Sequence, residues 1–274
     1  MTELDKLHQL ELKIALEIVR ICKQNGVRCF LIYGSLLGAV RHRGFIPWDD
    51  DLDIAMPRED YVRFIRVFQQ QTNSEVYFLE NWDTEPEFGL SFSKVKLNNT
   101  IFEEYSIKNT KTHKGISVDV FPLDLLPNDP KCIRKTAKRL LWLGKMYKFR
   151  LNYLPTDPEN KNQYYVSKMI GLLSRCIPQK MLRRWIEKEE QRYDNDPAAE
   201  MTTFLSGAYN CRDIYNKNLI EEIINHEFEE EMLPIPAQYD AILSKIYGNY
   251  MTLPPAEKQV LRHNAERIEF GPFE

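Results

Sequence analysis

Cysteine is scarce in this chain. The five residues (Cys22, Cys29, Cys132, Cys176 and Cys211) are odd in number and contain no CxxC pair. That excludes a disulfide scaffold and a thiolate zinc framework, and implies free thiols in a reducing cytoplasm. Long apolar runs are also missing: no segment is long enough to cross a bilayer. The first residues, Met1-Thr2-Glu3-Leu4-Asp5-Lys6, lack the basic flank and apolar stretch of a secretory signal. Charge of one sign is not in excess either. The formal net charge of -3 gives no general case for nucleic acid as a partner. Repeats and low-complexity tracts are absent. Over 274 residues, 43% hydrophobic and 28% charged, the composition is that of an ordinary globular chain, either one domain with embellishments or two small ones.

What is present is concentrated in one stretch, Leu31 to Ile54, LIYGSLLGAVRHRGFIPWDDDLDI. The apolar run ending at Tyr33 predicts a buried strand, which Gly34-Ser35 breaks at once. Leu36 to Val40 suits a short helix with Ser35 near its N-terminus, where backbone N–H groups can face an anion. In Asp51-Leu52-Asp53-Ile54 polar and apolar residues alternate as on a strand, so Asp51 and Asp53 share a face. Two carboxylates so close repel each other unless a cation lies between them. Hard divalent ions such as Mg²⁺ take oxygen ligands of this kind and bring substrate phosphates with them.

The rest of the chain supplies helices and more strands. Residues 3–25 read as an amphipathic helix carrying Leu4, Leu7, Ile14, Ile18 and Ile21, with Asn25-Gly26 as its stop. Strands are expected over 27–33, 51–56, 76–79 and 90–97, with Thr100 to Tyr105 returning as a hairpin partner of the last. A helix from Pro57 turns Tyr61, Phe64, Ile65 and Phe68 inward. Lys94 and Lys96 lie on one face of their strand, and phosphoryl transfer needs cations there. In GISVDVFPLD, residues 115–124, Asp119 projects from an alternating strand, and Asp124, after Pro122, reads as the cap of a turn. Residues 131–150 hold eight Lys or Arg and no acid, with an apolar face opposite. This basic face suits solvent, or else a peripheral membrane contact or polyanionic acceptor. Helices follow over 161–176, 179–193 and 239–246, with a short strand in 201–211 and a solvated acidic loop around Glu227 and Glu229–Glu231.

The Gly-Ser turn after a strand, followed by Asp-x-Asp on a second strand, resembles the signature of the nucleotidyltransferase fold. Arg41-His42, Gly44, Ile46-Pro47-Trp48 and the run Asp49-Asp50-Asp51 make the longer string similar to the LicD family. Gly115-Ile116 through Phe121-Pro122-Leu123-Asp124, and the tail Tyr247-Gly248-Asn249-Tyr250 through Pro255, resemble further blocks of that family. The likeness is weakest across 131–225. The resemblance implies an α+β fold with a nucleotidyltransferase-like mixed sheet flanked by helices. Residues 1–126 would form the catalytic core, and a mainly helical region, 127–274, would pack on it and complete the substrate cleft. It implies a phosphotransferase that moves phosphocholine, or a related phospho-alcohol, from a CDP-linked donor to a glycan hydroxyl, releasing CMP. Choline is favoured over ribitol, glycerol and ethanolamine. The acceptor would be a teichoic acid repeat, a lipopolysaccharide sugar or a lipid-linked glycan precursor, met in the cytoplasm at the inner face of the membrane.

The resemblance assigns roles residue by residue. Asp51, Asp53 and Asp119 would be catalytic and hold Mg²⁺, with Mn²⁺ as the alternative. Gly34, Ser35, Arg41, Arg43, Trp48, Asp49, Asp50 and Lys94 would bind substrate, Lys94 being a better match than Lys96. Two other classes share the pattern. A nucleotidyltransferase proper would move NMP from an NTP onto a small molecule. A non-catalytic binding protein would be expected to lack one of the three carboxylates. His263 alone reads as structural.

Overall fold

A computed structural model describes residues 2–155, 157, 160–210, 213–261 and 265–273. Cys211 and His263 lie outside the described residues. The chain runs α1 (Glu3–Asn25), β1 (Phe30–Leu31), α2 (Tyr33–His42), β2 (Asp53–Pro57), α3 (Arg58–Gln71), β3 (Tyr77–Glu80), β4 (Ser93–Leu97), β5 (Ile101–Glu104) and β6 (Ser117–Leu126). It continues with α4 (Pro130–Arg150), α5 (Lys161–Ser174), α6 (Gln179–Glu190), β7 (Met201–Thr203), β8 (Tyr215–Asn216), β9 (Ile223–Phe228), β10 (Glu231–Pro236), α7 (Tyr239–Tyr247) and β11 (Ala265–Glu269). The architecture is α+β, as expected.

The central sheet runs β1-β2-β6-β4-β3, with β7 and then β8 continuing from the far end of β6. Only β2 and β6 are parallel; the other pairs are antiparallel. β6 therefore lies in the middle of the sheet, between β2 and β4, and Asp119 is on no edge. Helix α1 starts on a full capping box, in which Thr2 and Asp5 each accept the other's backbone N–H. It ends on Gly26 in the left-handed region, where a side chain is strained. Its Ile14, Ile18 and Ile21 are completely buried against the sheet, each contributing roughly 1.5–3 kcal/mol.

One expectation changes. Thr100 to Tyr105 is no hairpin partner of β4: β5 pairs with β11, so tertiary pairing with a distant segment wins over the local turn. The acidic segment around Glu229 is solvated as expected, but as the turn of the β9–β10 hairpin, in which Phe228 is completely buried. Helices fill 130–190 and enclose a second apolar cluster of Leu126, Ile133, Leu140, Tyr147, Leu182 and Ile186. Residues after 200 return strands, and Phe204, Tyr215, Leu233, Ile235 and Leu243 rejoin the main core.

Candidate active site

The register of the sheet builds the site. Asp53 stands opposite Asp119 across the parallel β2–β6 pair, and Lys94 stands opposite Asp119 across the antiparallel β6–β4 pair. Residues in register project to the same side, so the two acids and the lysine form one row. Lys94 Nζ donates to Asp119 Oδ1 at 2.7 Å, with both side chains largely buried. Burial alone would lower the Lys94 pKa, but the nearby acids, Asp119 first and then Glu104 and Glu80, together raise it. Asp53 is buried, and its carboxyl is pushed well up by desolvation, then by Asp51, Asp119 and Asp49.

Asp51 precedes β2 rather than lying in it. The flanking residue Leu52 accepts the Asp119 N–H through its carbonyl at 3.0 Å, which ties this approach to β6. Asp49 and Asp50 are buried, not loop-surface acids. Gly34 explains how Asp49 fits: a Cβ there would come 2.7 Å from its Oδ2. An acidic side chain thus lies against the first turn of α2, where an anion is favoured. The helix itself begins earlier than expected, at Tyr33, whose φ of 51° lies in the strained left-handed region. Ser35 is buried, and its Oγ accepts the Asp53 N–H at 2.8 Å, so its hydroxyl fixes the start of β2.

The remaining expected residues separate. Arg41 Nη1 donates to the Tyr250 carbonyl at 2.9 Å, joining α2 to the tail. Arg43 caps α2 in the left-handed region, is 74% exposed, and pairs only loosely with Glu227 at 3.7 Å. Trp48 is half-buried on the core, edge-on to His42. Asp124 does not cap a turn. It continues β6, is fully buried, and accepts both Nε and Nη2 of Arg58, at 2.6 and 2.8 Å. Lys96 is also structural, with its ammonium 2.6 Å from Glu80.

Lys96 also donates to the backbone carbonyl of His113. The His113 ring accepts the Gly115 N–H through Nδ1 and meets Asn98 Oδ1 through Nε2, both at 3.0 Å. Only a neutral ring with its proton on Nε2 satisfies both contacts. Burial, then Lys96, pushes its pKa from 6.5 down to about 4. The unfolded state thus binds more protons in that window, so stability is complete above the unfolded value and is lost as pH falls toward the folded one. After discounting for solvent access, a loss of about 1–2 kcal/mol is expected. His113→Asn should flatten the acid limb of a melting-temperature profile. An unchanged limb would show that another group governs it.

Three residues were missed from sequence. Glu11, on the buried side of α1, is 2% exposed, and its Oε2 has no hydrogen-bond partner. Its carboxyl is pushed well up by burial, then by Asp51, Asp50, Asp119 and Asp49. The signal was a charged residue inside an apolar helical stripe. His8, one turn earlier, meets the Asp49 carbonyl at 2.8 Å and stacks on Phe45. Lys148, from α4, has its pKa lowered by burial and then by the like charge of Lys94. Among the described residues no three Asp, Glu, His or Cys side chains are drawn together to chelate an ion. The donor set is nevertheless oxygen only, carries excess negative charge and includes an orphaned buried oxygen on Glu11, which is the chemistry a hard divalent ion fits.

Residues 26–154 match the family model described as LicD/FKTN/FKRP, nucleotidyltransferase domain. The chain is 28% identical to the lipopolysaccharide cholinephosphotransferase LicD of Haemophilus influenzae over 249 residues, 90% of each chain. It is 49% identical over 43 residues to the human ribitol 5-phosphate transferase FKRP, covering 16% of this chain and 9% of that one.

Proposed function

Residues 26–154 are a LicD-family nucleotidyltransferase domain, and from that premise we propose that the chain transfers phosphocholine from CDP-choline to a hydroxyl of a cell-surface glycan or its precursor. The reading is supported chiefly by the row Asp53, Asp119 and Lys94, set in register on three adjacent strands. Likeness to a cholinephosphotransferase over 90% of both chains favours choline as head group and a lipopolysaccharide-type sugar as acceptor.

In this mechanism the acceptor hydroxyl oxygen bonds to the phosphorus next to choline. The bond from that phosphorus to the oxygen of CMP breaks, and CMP leaves with the electron pair. The hydroxyl proton passes to Asp119, whose orientation Lys94 holds. Lys94 and Lys148 bring two ammonium groups toward the transferring phosphoryl, and most of the acceleration comes from positioning and charge. Asp51 and Asp53 would hold Mg²⁺, which when bound neutralises the diphosphate of the donor, with Asp119 kept for the proton. Gly34 and Ser35 shape the turn behind them, and Asp49 and Asp50 fix the loop. Arg41, bound to the tail, orders the wall of the cleft. No helix among the described residues is long and apolar enough to cross a membrane.

Product analysis tests this reading. Incubation with CDP-choline, Mg²⁺ and a deacylated lipopolysaccharide acceptor should release CMP and add phosphocholine. Release of pyrophosphate from an NTP, without CMP from any CDP-alcohol, would establish a nucleotidyltransferase proper instead. Stabilisation by CDP-choline with no turnover would establish a binding protein.

A further inference from the structure

Helix α5 is packed inside out. Its small residues Ser167, Gly171 and Ser174 are buried, while Tyr165, Val166, Met169, Leu172 and Leu173 face solvent. The spacing explains both sets: 167, 171 and 174 fall on one side of a 3.6-residue helix, and 165, 166, 169, 172 and 173 on the other. The buried side allows close approach to α4. A Cβ at Gly171 would come 2.4 Å from the Phe149 carbonyl oxygen, and Arg150 Nη1 donates to the Ser174 carbonyl at 2.7 Å. The outer side has no such purpose within the chain. Met169, Leu172 and Leu173 are 56%, 66% and 65% exposed, a contiguous apolar strip of the kind that marks an interaction surface.

The neighbouring helix decides what covers the strip. The outer face of α4 carries Lys131, Arg134, Lys135, Lys138 and Lys145 around an exposed Trp142, and no acid occurs anywhere in 131–150. Trp142 and Trp185 of α6, also exposed, line a cavity of about 640 Å³ together with Lys138 and Lys188. Exposed Trp beside lysines, next to an aliphatic strip, matches the chemistry of an anionic lipid interface: headgroup phosphates for the ammonium groups, acyl chains for the helix. A two-fold dimer through α5 would bring two like-charged α4 faces toward each other, which disfavours a second copy.

We propose that α5, flanked by the basic face of α4, docks this protein peripherally on an anionic bilayer surface, with Leu172 and Leu173 inserting at the acyl boundary. In this division of labour the basic face of 131–150 supplies charge and α5 supplies insertion. The proposal goes beyond the transferase reading and does not rest on it, because membrane binding is measured without turnover.

Cosedimentation of the full chain with vesicles of phosphatidylcholine and phosphatidylglycerol in equal parts tests it. Binding is expected, falling about tenfold or more in Leu172→Glu/Leu173→Glu and in pure phosphatidylcholine, and falling with added salt. Both leucines are solvent-exposed, so the variant should keep the wild-type melting temperature and the release of CMP from CDP-choline with a water-soluble acceptor. Failure of the wild type to bind the mixed vesicles, or equal binding by the variant, overturns the proposal. So does a wild-type dimer in sedimentation equilibrium that the variant converts to monomer, which would make a second copy the occupant.

Discussion

Asp53→Asn is expected to lower the rate of phosphocholine transfer by roughly 10³-fold while leaving the protein as stable as before or more so. The two halves of that result have one origin. Asp53 is buried beside Asp51, Asp119 and Asp49, and its carboxyl is pushed well up by burial and then by those acids. The native state therefore disfavours a negative charge on Asp53 unless a cation lies beside it. Asparagine has nearly the same shape and no charge. It removes the repulsion and should add on the order of 1 kcal/mol, about 2 °C in melting temperature for a domain of this size. The backbone N–H of residue 53 still reaches Ser35 Oγ, so the start of β2 is undisturbed. What is lost is the carboxylate that would hold Mg²⁺ against the transferring phosphate, and charge stabilisation of that kind is worth roughly 10²–10³ in rate or more. Thermal melts and CMP release on the same preparation decide it. Retained turnover removes Asp53 from the chemistry. A melting temperature lowered by several degrees makes it structural instead.

The row that carries this prediction was legible in the sequence because strands alternate. Once β2 and a strand through 117–120 are accepted, Asp53 and Asp119 must each project from the pleat, and Lys94 follows from the same argument on β4. Helices α1 and α7 were legible from their apolar spacing, within a residue or two at their ends, and α3 within a residue at its start. Pairing between distant segments was not. Nothing local to Ile101–Glu104 indicates that its partner is Ala265–Glu269. Nothing in the run Glu229–Glu231 indicates that Glu229 Oε1 accepts the Phe45 N–H at 2.9 Å and packs where Gly44 has no side chain. Glu11 shows a different failure. Its position in the buried arc between Leu7 and Ile14 was readable, but the cluster of aspartates it faces is assembled by the fold. Ser35 was found for one reason and matters for another: the Gly-Ser pair marks a turn in any case, and only the fold brings the hydroxyl onto the first N–H of β2.

Asp124 was read as a turn residue, and its true position predicts a large loss of stability when its partner is removed. Arg58 at the start of α3 forks onto both Asp124 oxygens and reaches Glu190 Oε2 of α6 at 3.2 Å, while Ser206 donates to the other Glu190 oxygen. Both carboxylates are almost wholly buried. One guanidinium thus ties the central strand to the helical region, at a point where water cannot replace it. Arg58→Met should cost about 3–5 kcal/mol, or about 10 °C, because two buried acids are left facing each other. Their protonation gives the loss a pH signature. Burial already pushes the Asp124 carboxyl up, with Arg58 the main opposing influence, and the substitution removes that opposition. A folded-state value above the unfolded one means that the native state holds the extra proton. The variant's stability is then best retained at acid pH and lost as pH rises through the raised value. Denaturant unfolding of wild type and variant at about pH 5 and about pH 8 should show the gap between them widening with pH. Replacing Asp124 and Glu190 with leucine in the Arg58→Met background should recover most of the loss, since a packed apolar triad no longer needs the cation. A gap below about 1 kcal/mol, or one that does not change with pH, would mean that water reaches these carboxylates and that the helical region is joined to the sheet by apolar packing alone.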